Sequence, residues 1–143
     1  MAERPDLRIF ETDWCTVDQA HGYSLPGYLI VEIRGGAERL SDLAPEERDD
    51  LFAAVTEAER LVQELVAPER IYVGKYAELN RRVHVHVIPR TAELAAAYTA
   101  ATGDEHPLNG AALTAWLWEH HAELGHTGVE LAEFVARARA SRA

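Results

Sequence analysis

Cysteine is nearly absent. With only Cys15, neither an intramolecular disulfide nor a cysteine-rich zinc site can form within the chain. No stretch approaches the roughly 20 apolar residues of a membrane-spanning helix. The opening MAERPDLRIF also lacks the apolar core of a secretion signal, so a cytoplasmic location is the expectation. Positive charge is scarce: 14 Lys and Arg against 24 Asp and Glu give a formal net charge of -10. A field of that sign repels DNA, RNA and anionic membrane surfaces, so neither nucleic acid nor membrane is an expected partner. A small phosphate ester would need a locally positive pocket. The chain shows no internal repeat and no linker that would divide it.

What is present suits one globular domain. The 143 residues are 48% hydrophobic and 27% charged, enough apolar material for a real core. WCTV (14–17) and GYLIVEI (27–33) read as strands separated by a turn containing Gly22, Pro26 and Gly27. Leu51, Val55, Ala58, Leu61, Val62 and Leu65 then recur at helical spacing with acidic residues between them. The spacing predicts a long amphipathic helix, with Ser41 or Asp42 capping a leading turn, Pro45 at a first helical position and Pro68 just past the end. RIYVGKY (70–76) and RRVHVHVIPR (81–90) read as two further strands. From about Thr91 the pattern is alanine-rich and helical, broken at TGDEHPLNG, with a second helix from about Ala111 in which Trp116 and Trp118 are expected to pack. The fold class is therefore α+β, with a mainly antiparallel sheet and a helical C-terminal segment.

RRVHVHVIPR carries the chemistry. On a strand, Val83, Val85 and Val87 share one face, while Arg82, His84, His86 and the nearby Asn80 share the other. The valines belong to the core. Alternate residues have Cα atoms about 6.5 to 7 Å apart, so two imidazoles can reach one substrate, as nucleophile and proton donor at one phosphorus or as a pair of metal ligands. Zinc takes three or four ligands. His120, His121 and His126 fall in or after the last helix and are expected to be solvated rather than ligating.

Arg82-Val83-His84-Val85-His86-Val87-Ile88-Pro89-Arg90 resembles the signature of the histidine triad (HIT) superfamily, H-φ-H-φ-H-φ-φ followed by Pro-Arg. Pro26-Gly27-Tyr28-Leu29-Ile30-Val31 is similar to the family's P-G-H-L-φ-V strand, and Glu38 to Leu43 with Pro45-Glu46-Glu47 resembles its entry to the long helix. The resemblance implies one HIT-like domain over 1–143, with a core at about 14–90 and a helical extension at about 91–143. It implies a nucleotide hydrolase or nucleotidyl transferase, without cofactor or metal, that acts on a phosphoanhydride or phosphoramidate. His84 would attack the α-phosphate to form a covalent nucleotidyl-histidine, and His86 would contact phosphate or the leaving group. Asp18 would be the ribose-contacting acid. A homodimer through the long helix and its neighbouring strand is also implied. The chain departs from the family where Arg82 replaces the first histidine, where Gly35-Gly36 replaces a basic residue and a histidine, and where YVGKYAELNRR is short and lacks a glycine-rich phosphate segment. Arg82 and Lys75 are candidates to supply phosphate contacts instead, with Asn80 beside them, and Arg82 has the alternative of a surface salt bridge to a glutamate. Two other readings stay open: a HIT-like protein that binds a nucleotide or another anionic metabolite without hydrolysis, and a metal-dependent enzyme using His84 and His86 as ligands.

Overall fold

A computed structural model of the chain describes residues 6–105 and 109–143, so His106 lies outside the described residues. Strands β1 (Arg8–Glu11), β2 (Cys15–Gln19), β3 (Leu29–Ile33), β4 (Arg70–Gly74) and β5 (His84–Arg90) form one antiparallel sheet in the order β1-β2-β3-β5-β4. The sheet begins upstream of the strand expected at residue 14. β1 is only RIFE, too short for its alternation to stand out, yet it buries Ile9 and Phe10.

The expected helix is α1 (Pro45–Val66), with proline in its first turn. Its cap differs from expectation. Ser41 and Asp42 belong to a separate 3-10 turn, and the Glu47 carboxylate accepts from the Ala44 N–H at 3.2 Å. Leu51, Ala54, Ala58, Leu61 and Val62 form its buried stripe. Ala67 ends the helix in the left-handed region at φ 49°, just before Pro68.

Beyond Thr91 the chain forms α2 (Ala92–Thr102), α3 (Gly110–His120) and α4 (Gly128–Arg142). The helix expected from Ala111 is thus two helices. Gly125 turns the chain at φ 77°, and the Thr127 hydroxyl recaps it by accepting from Glu130 N–H at 3.2 Å. This C-terminal segment packs on both faces of the sheet. Leu131, Phe134, Val135 and Ala138 of α4 join α1 over Val17, Val31, Val83, Val85 and Val87. On the opposite face, Leu94 and Tyr98 of α2 and Leu113 and Leu117 of α3 pack on Leu25, Tyr28 and Ile88.

Strand register explains where the site lies. Tyr28, just before β3, and Ile30 of β3 alternate with Leu29 and Val31, and His86 and Ile88 of β5 alternate with Val85 and Val87. Helices α2 and α3 cover the Tyr28 and Ile88 end of that second face. The end bearing Asp18, Glu32, His84 and His86 opens into a cavity. The loop from β2 to β3 is braced by the fully buried Gln19, whose amide donates to Ala20 O at 3.0 Å and Leu25 O at 2.9 Å and accepts from Gly27 N–H at 2.8 Å.

Candidate active site

The cavity encloses about 580 Å³ and is lined by His84, His86, Asp18, Glu32, Asn80 and Trp118, among others. Across the sheet, Asp18 pairs with Ile30 and Ile30 with His86, while Glu32 pairs with His84. Two strand spacings therefore separate Asp18 from His86, about 10 Å. The two imidazole centroids are 5.2 Å apart, close enough to serve one phosphorus centre.

Hydrogen bonding assigns each ring a different role. His84 Nδ1 lies 2.9 Å from the Arg82 carbonyl oxygen. A carbonyl only accepts, so Nδ1 carries the proton and Nε2 of the neutral ring keeps its lone pair. His86 Nδ1 lies 2.7 Å from the Tyr28 hydroxyl, and Tyr28 in turn accepts from Trp118 Nε1–H at 2.9 Å. Burial pushes the Tyr28 phenol well above its ordinary range, so it stays protonated.

Burial, with His84 adding repulsion between like charges, lowers the His86 pKa from 6.5 to about 4. His86 is only 7% exposed and stays neutral at physiological pH. The native pKa is the depressed one, so between pH 6.5 and 4 the unfolded chain binds a proton that the native protein refuses. The stability contribution is fully present above about pH 6.5 and is lost as pH falls toward 4. The loss is on the order of 1 to 3 kcal/mol. Urea unfolding of the parent and a His86→Gln variant at pH 7 and 4.5 measures it: the parent should lose more stability than the variant, and parallel losses would contradict burial of a neutral imidazole.

Four of the sequence-predicted residues meet at the cavity: His84, His86, Asp18 and Asn80. Asp18 is held by Arg8 Nε, and Asn80 Nδ2 donates to Glu32. Lys75 and Arg82 are not among the lining residues. Arg82 precedes β5, and its guanidinium turns to Glu32, with Nη1 3.9 Å from the carboxylate. Glu32 is the main residue missed, though it is the one charged position in GYLIVEI and antiparallel pairing sets it beside His84. Tyr28 is expected as a strand residue, and Trp118 as a packing residue or a cover for a base pocket. The bond from Trp118 to Tyr28 spans 90 positions of chain, and no local pattern signals it.

The C-terminal histidines also differ from expectation. His121 Nδ1 accepts from Ser24 N–H at 3.1 Å, and its ring packs edge-on against Tyr23. His126, whose side chain is 17% exposed, sits between Glu130 at 2.6 Å and Glu93 at 3.4 Å. His120 stacks on Trp116 with centroids 5.1 Å apart. None is simply solvated. Among the described residues, no three His, Cys, Asp or Glu side chains are grouped to hold a metal ion. Among the same residues, no helix is long and apolar enough to cross a membrane.

The chain has the fold of the histidine triad proteins, and its own five-stranded antiparallel sheet carries the histidine pair on the face opposite α1. A HIT-like protein involved in cell-cycle regulation from Bartonella henselae superposes with a TM-score of 0.59 at 21% identity, covering 96% of this chain and 87% of that one. A histidine triad protein from Bradyrhizobium japonicum gives 0.59 at 18% identity, covering 92% of this chain and 87% of that one. A HIT family member from Bacillus subtilis gives 0.56 at 17%, covering 98% and 89%. In sequence, the chain is 31% identical over 71 residues to the asymmetrical bis(5'-nucleosyl)-tetraphosphatase of Schizosaccharomyces pombe. That match covers 46% of this chain and 39% of the relative, so the chain spans well under half the length of the curated protein it matches. No protein-family model matches the chain.

Proposed function

We propose that the protein is a nucleotide hydrolase or nucleotidyl transferase that works through a covalent nucleotidyl-His84. The observation that carries this reading is the His84 Nδ1 bond to the Arg82 carbonyl, which leaves Nε2 as the free lone pair on a cavity-lining ring. Nε2 attacks the α-phosphorus, the bond from phosphorus to the leaving atom breaks, and that atom takes the electron pair. His86 donates a hydrogen bond from Nε2–H to the phosphate oxygen or to the leaving atom as charge builds there, and the leaving atom takes its proton from solvent. Water or another acceptor then attacks the same phosphorus, loses its proton and frees His84. Splitting one displacement into two is the general advantage of covalent catalysis. Asp18, about 10 Å from His86 across the sheet, contacts a ribose hydroxyl in this reading.

The cavity wall narrows the substrate further. It presents the carboxylates of Asp18, paired with Arg8, of Glu32, 3.9 Å from the Arg82 guanidinium, and of Glu78, and none of its described lining residues is Lys or Arg. Each extra phosphate charge held about 8 Å from a carboxylate costs roughly 1 to 2 kcal/mol at an intermediate dielectric. The site therefore favours a nucleoside phosphoramidate with one phosphate charge over a dinucleoside polyphosphate with several. In assays of both substrate types, kcat/KM for the phosphoramidate should exceed that for the tetraphosphate by about tenfold or more, and Glu32→Gln should narrow the gap. A faster tetraphosphate reaction would remove this preference. The same acidic wall also favours a second reading, binding without turnover, which calorimetric binding with no product from either substrate would identify.

A further inference from the structure

We infer that Tyr28 and Trp118 are positioning residues that hold His86 in the tautomer presenting Nε2–H to the cavity, an inference that rests on His84 and His86 being the reacting pair. The indole nitrogen of Trp118 can only donate, so the Tyr28 oxygen accepts at 2.9 Å. Tyr28 is fully buried, and its hydroxyl has one proton to place. The acceptor within reach is His86 Nδ1 at 2.7 Å. Were the imidazole proton on Nδ1, Tyr28 would accept twice, and its own O–H would be buried with no acceptor. The satisfied arrangement runs in one direction: Trp118 N–H to Tyr28 O, Tyr28 O–H to His86 Nδ1, and the imidazole proton on Nε2.

Packing alone does not require these polar ends. A phenylalanine at position 28 would fill the same space among Tyr23, Ile88 and Leu117, since Tyr23 stacks on the Tyr28 ring at 5.2 Å whatever the hydroxyl does. Trp118 is fixed from its other side by Tyr76, edge-on at 4.8 Å, and it also lines the cavity. Helix α3, from the segment beyond the strand motifs, thereby orients a ring on β5. The ring that meets the substrate is His86; Tyr28 and Trp118 act through it.

Long-range proton–nitrogen correlation spectra of the His86 ring test this in the full-length protein at pH 7. They would be recorded for the parent, Tyr28→Phe and Trp118→Phe, alongside steady-state kinetics on an adenosine phosphoramidate. The parent ring should show an unprotonated Nδ1 and a protonated Nε2. In Tyr28→Phe the proton should redistribute between the two nitrogens, with kcat falling roughly tenfold or more and KM little changed. Trp118→Phe should move both readouts the same way by less. A parent His86 protonated on Nδ1, or a tautomer unchanged in both variants, overturns the inference. If Tyr28→Phe fails to fold, the parent spectrum and Trp118→Phe still decide it. The spectra do not depend on turnover, so a protein with no activity but the expected tautomer would remove the nucleotidyl-transfer reading and leave the positioning intact.

Discussion

Replacing His84 by alanine is expected to lower turnover by about four orders of magnitude or more, with little effect on stability. In the proposed mechanism this imidazole supplies the bond-forming lone pair, while His86, the ring 5.2 Å away, has its Nδ1 bound to the Tyr28 hydroxyl. The structural attachments of His84 are few. The ring is half-buried, and its hydrogen bond is the local one to the Arg82 carbonyl two residues away. Removing it opens no cavity in the valine core on the other side of β5, so the unfolding free energy should change by less than about 1 kcal/mol. His86→Ala should behave differently. It costs roughly two to three orders of magnitude in rate, and it strips the buried Tyr28 hydroxyl of its acceptor, so stability falls as well. Parallel measurement of kcat and of urea unfolding separates the two. A His84→Ala variant as active as the parent on every accepted substrate would end the nucleophile assignment.

Gly27→Ala is expected to destabilise the protein by about 2 to 4 kcal/mol, lowering the melting temperature by roughly 10 °C. Gly27 has φ 91°, where a side chain is strained, and an added Cβ would meet Val66 Cγ2 at 2.7 Å. Val66 has little freedom to retreat. It is β-branched, it closes the last turn of α1, and it packs against the main core. The Gly27 N–H is also bound to Gln19, so the backbone cannot shift without breaking the brace under the β2 to β3 loop. Tyr28 follows directly, and a displaced Gly27 would loosen the bond from Tyr28 to His86. Gly36→Ala makes a fair control, because nothing lies within 4 Å of its added Cβ. Equal melting temperatures for the two variants would show that the turn at Gly27 is not as constrained as its geometry indicates.

The parts of the fold legible in the sequence are those whose cause is local. The 3.6-residue stripe of α1 and the strict alternation of β5 each follow from one element's own period. They located the long helix and put the valines and histidines on opposite faces. β1 escaped notice because four residues offer no period to read. The break before α4 is marked in the sequence by Gly125-His126-Thr127-Gly128, a stop glycine and a capping threonine, and the single helix expected from Ala111 overlooked it. At the cavity, the shared location of His84, His86 and Asp18 could be read from spacing and resemblance, whereas the direction of the Arg82 side chain could not. The sequence leaves Arg82 between a phosphate clamp and a salt bridge to a glutamate, and the choice depends on Glu32, which the sheet brings near through the pairing of β3 with β5. Trp118 shows the same limit over a longer range, since a partner 90 positions away on another layer leaves no trace in local pattern.

The most direct test of covalent catalysis at His84 is a rapid-quench mass measurement of the intact protein mixed with an adenosine phosphoramidate, followed by peptide mapping under conditions that spare phosphorus–nitrogen bonds. A mass increase of one nucleotidyl group that maps to His84, forms and decays at rates compatible with turnover, and is absent from His84→Ala is the expected result. Steady product formation with no adduct on any histidine, or with the adduct on a residue other than His84, would contradict it.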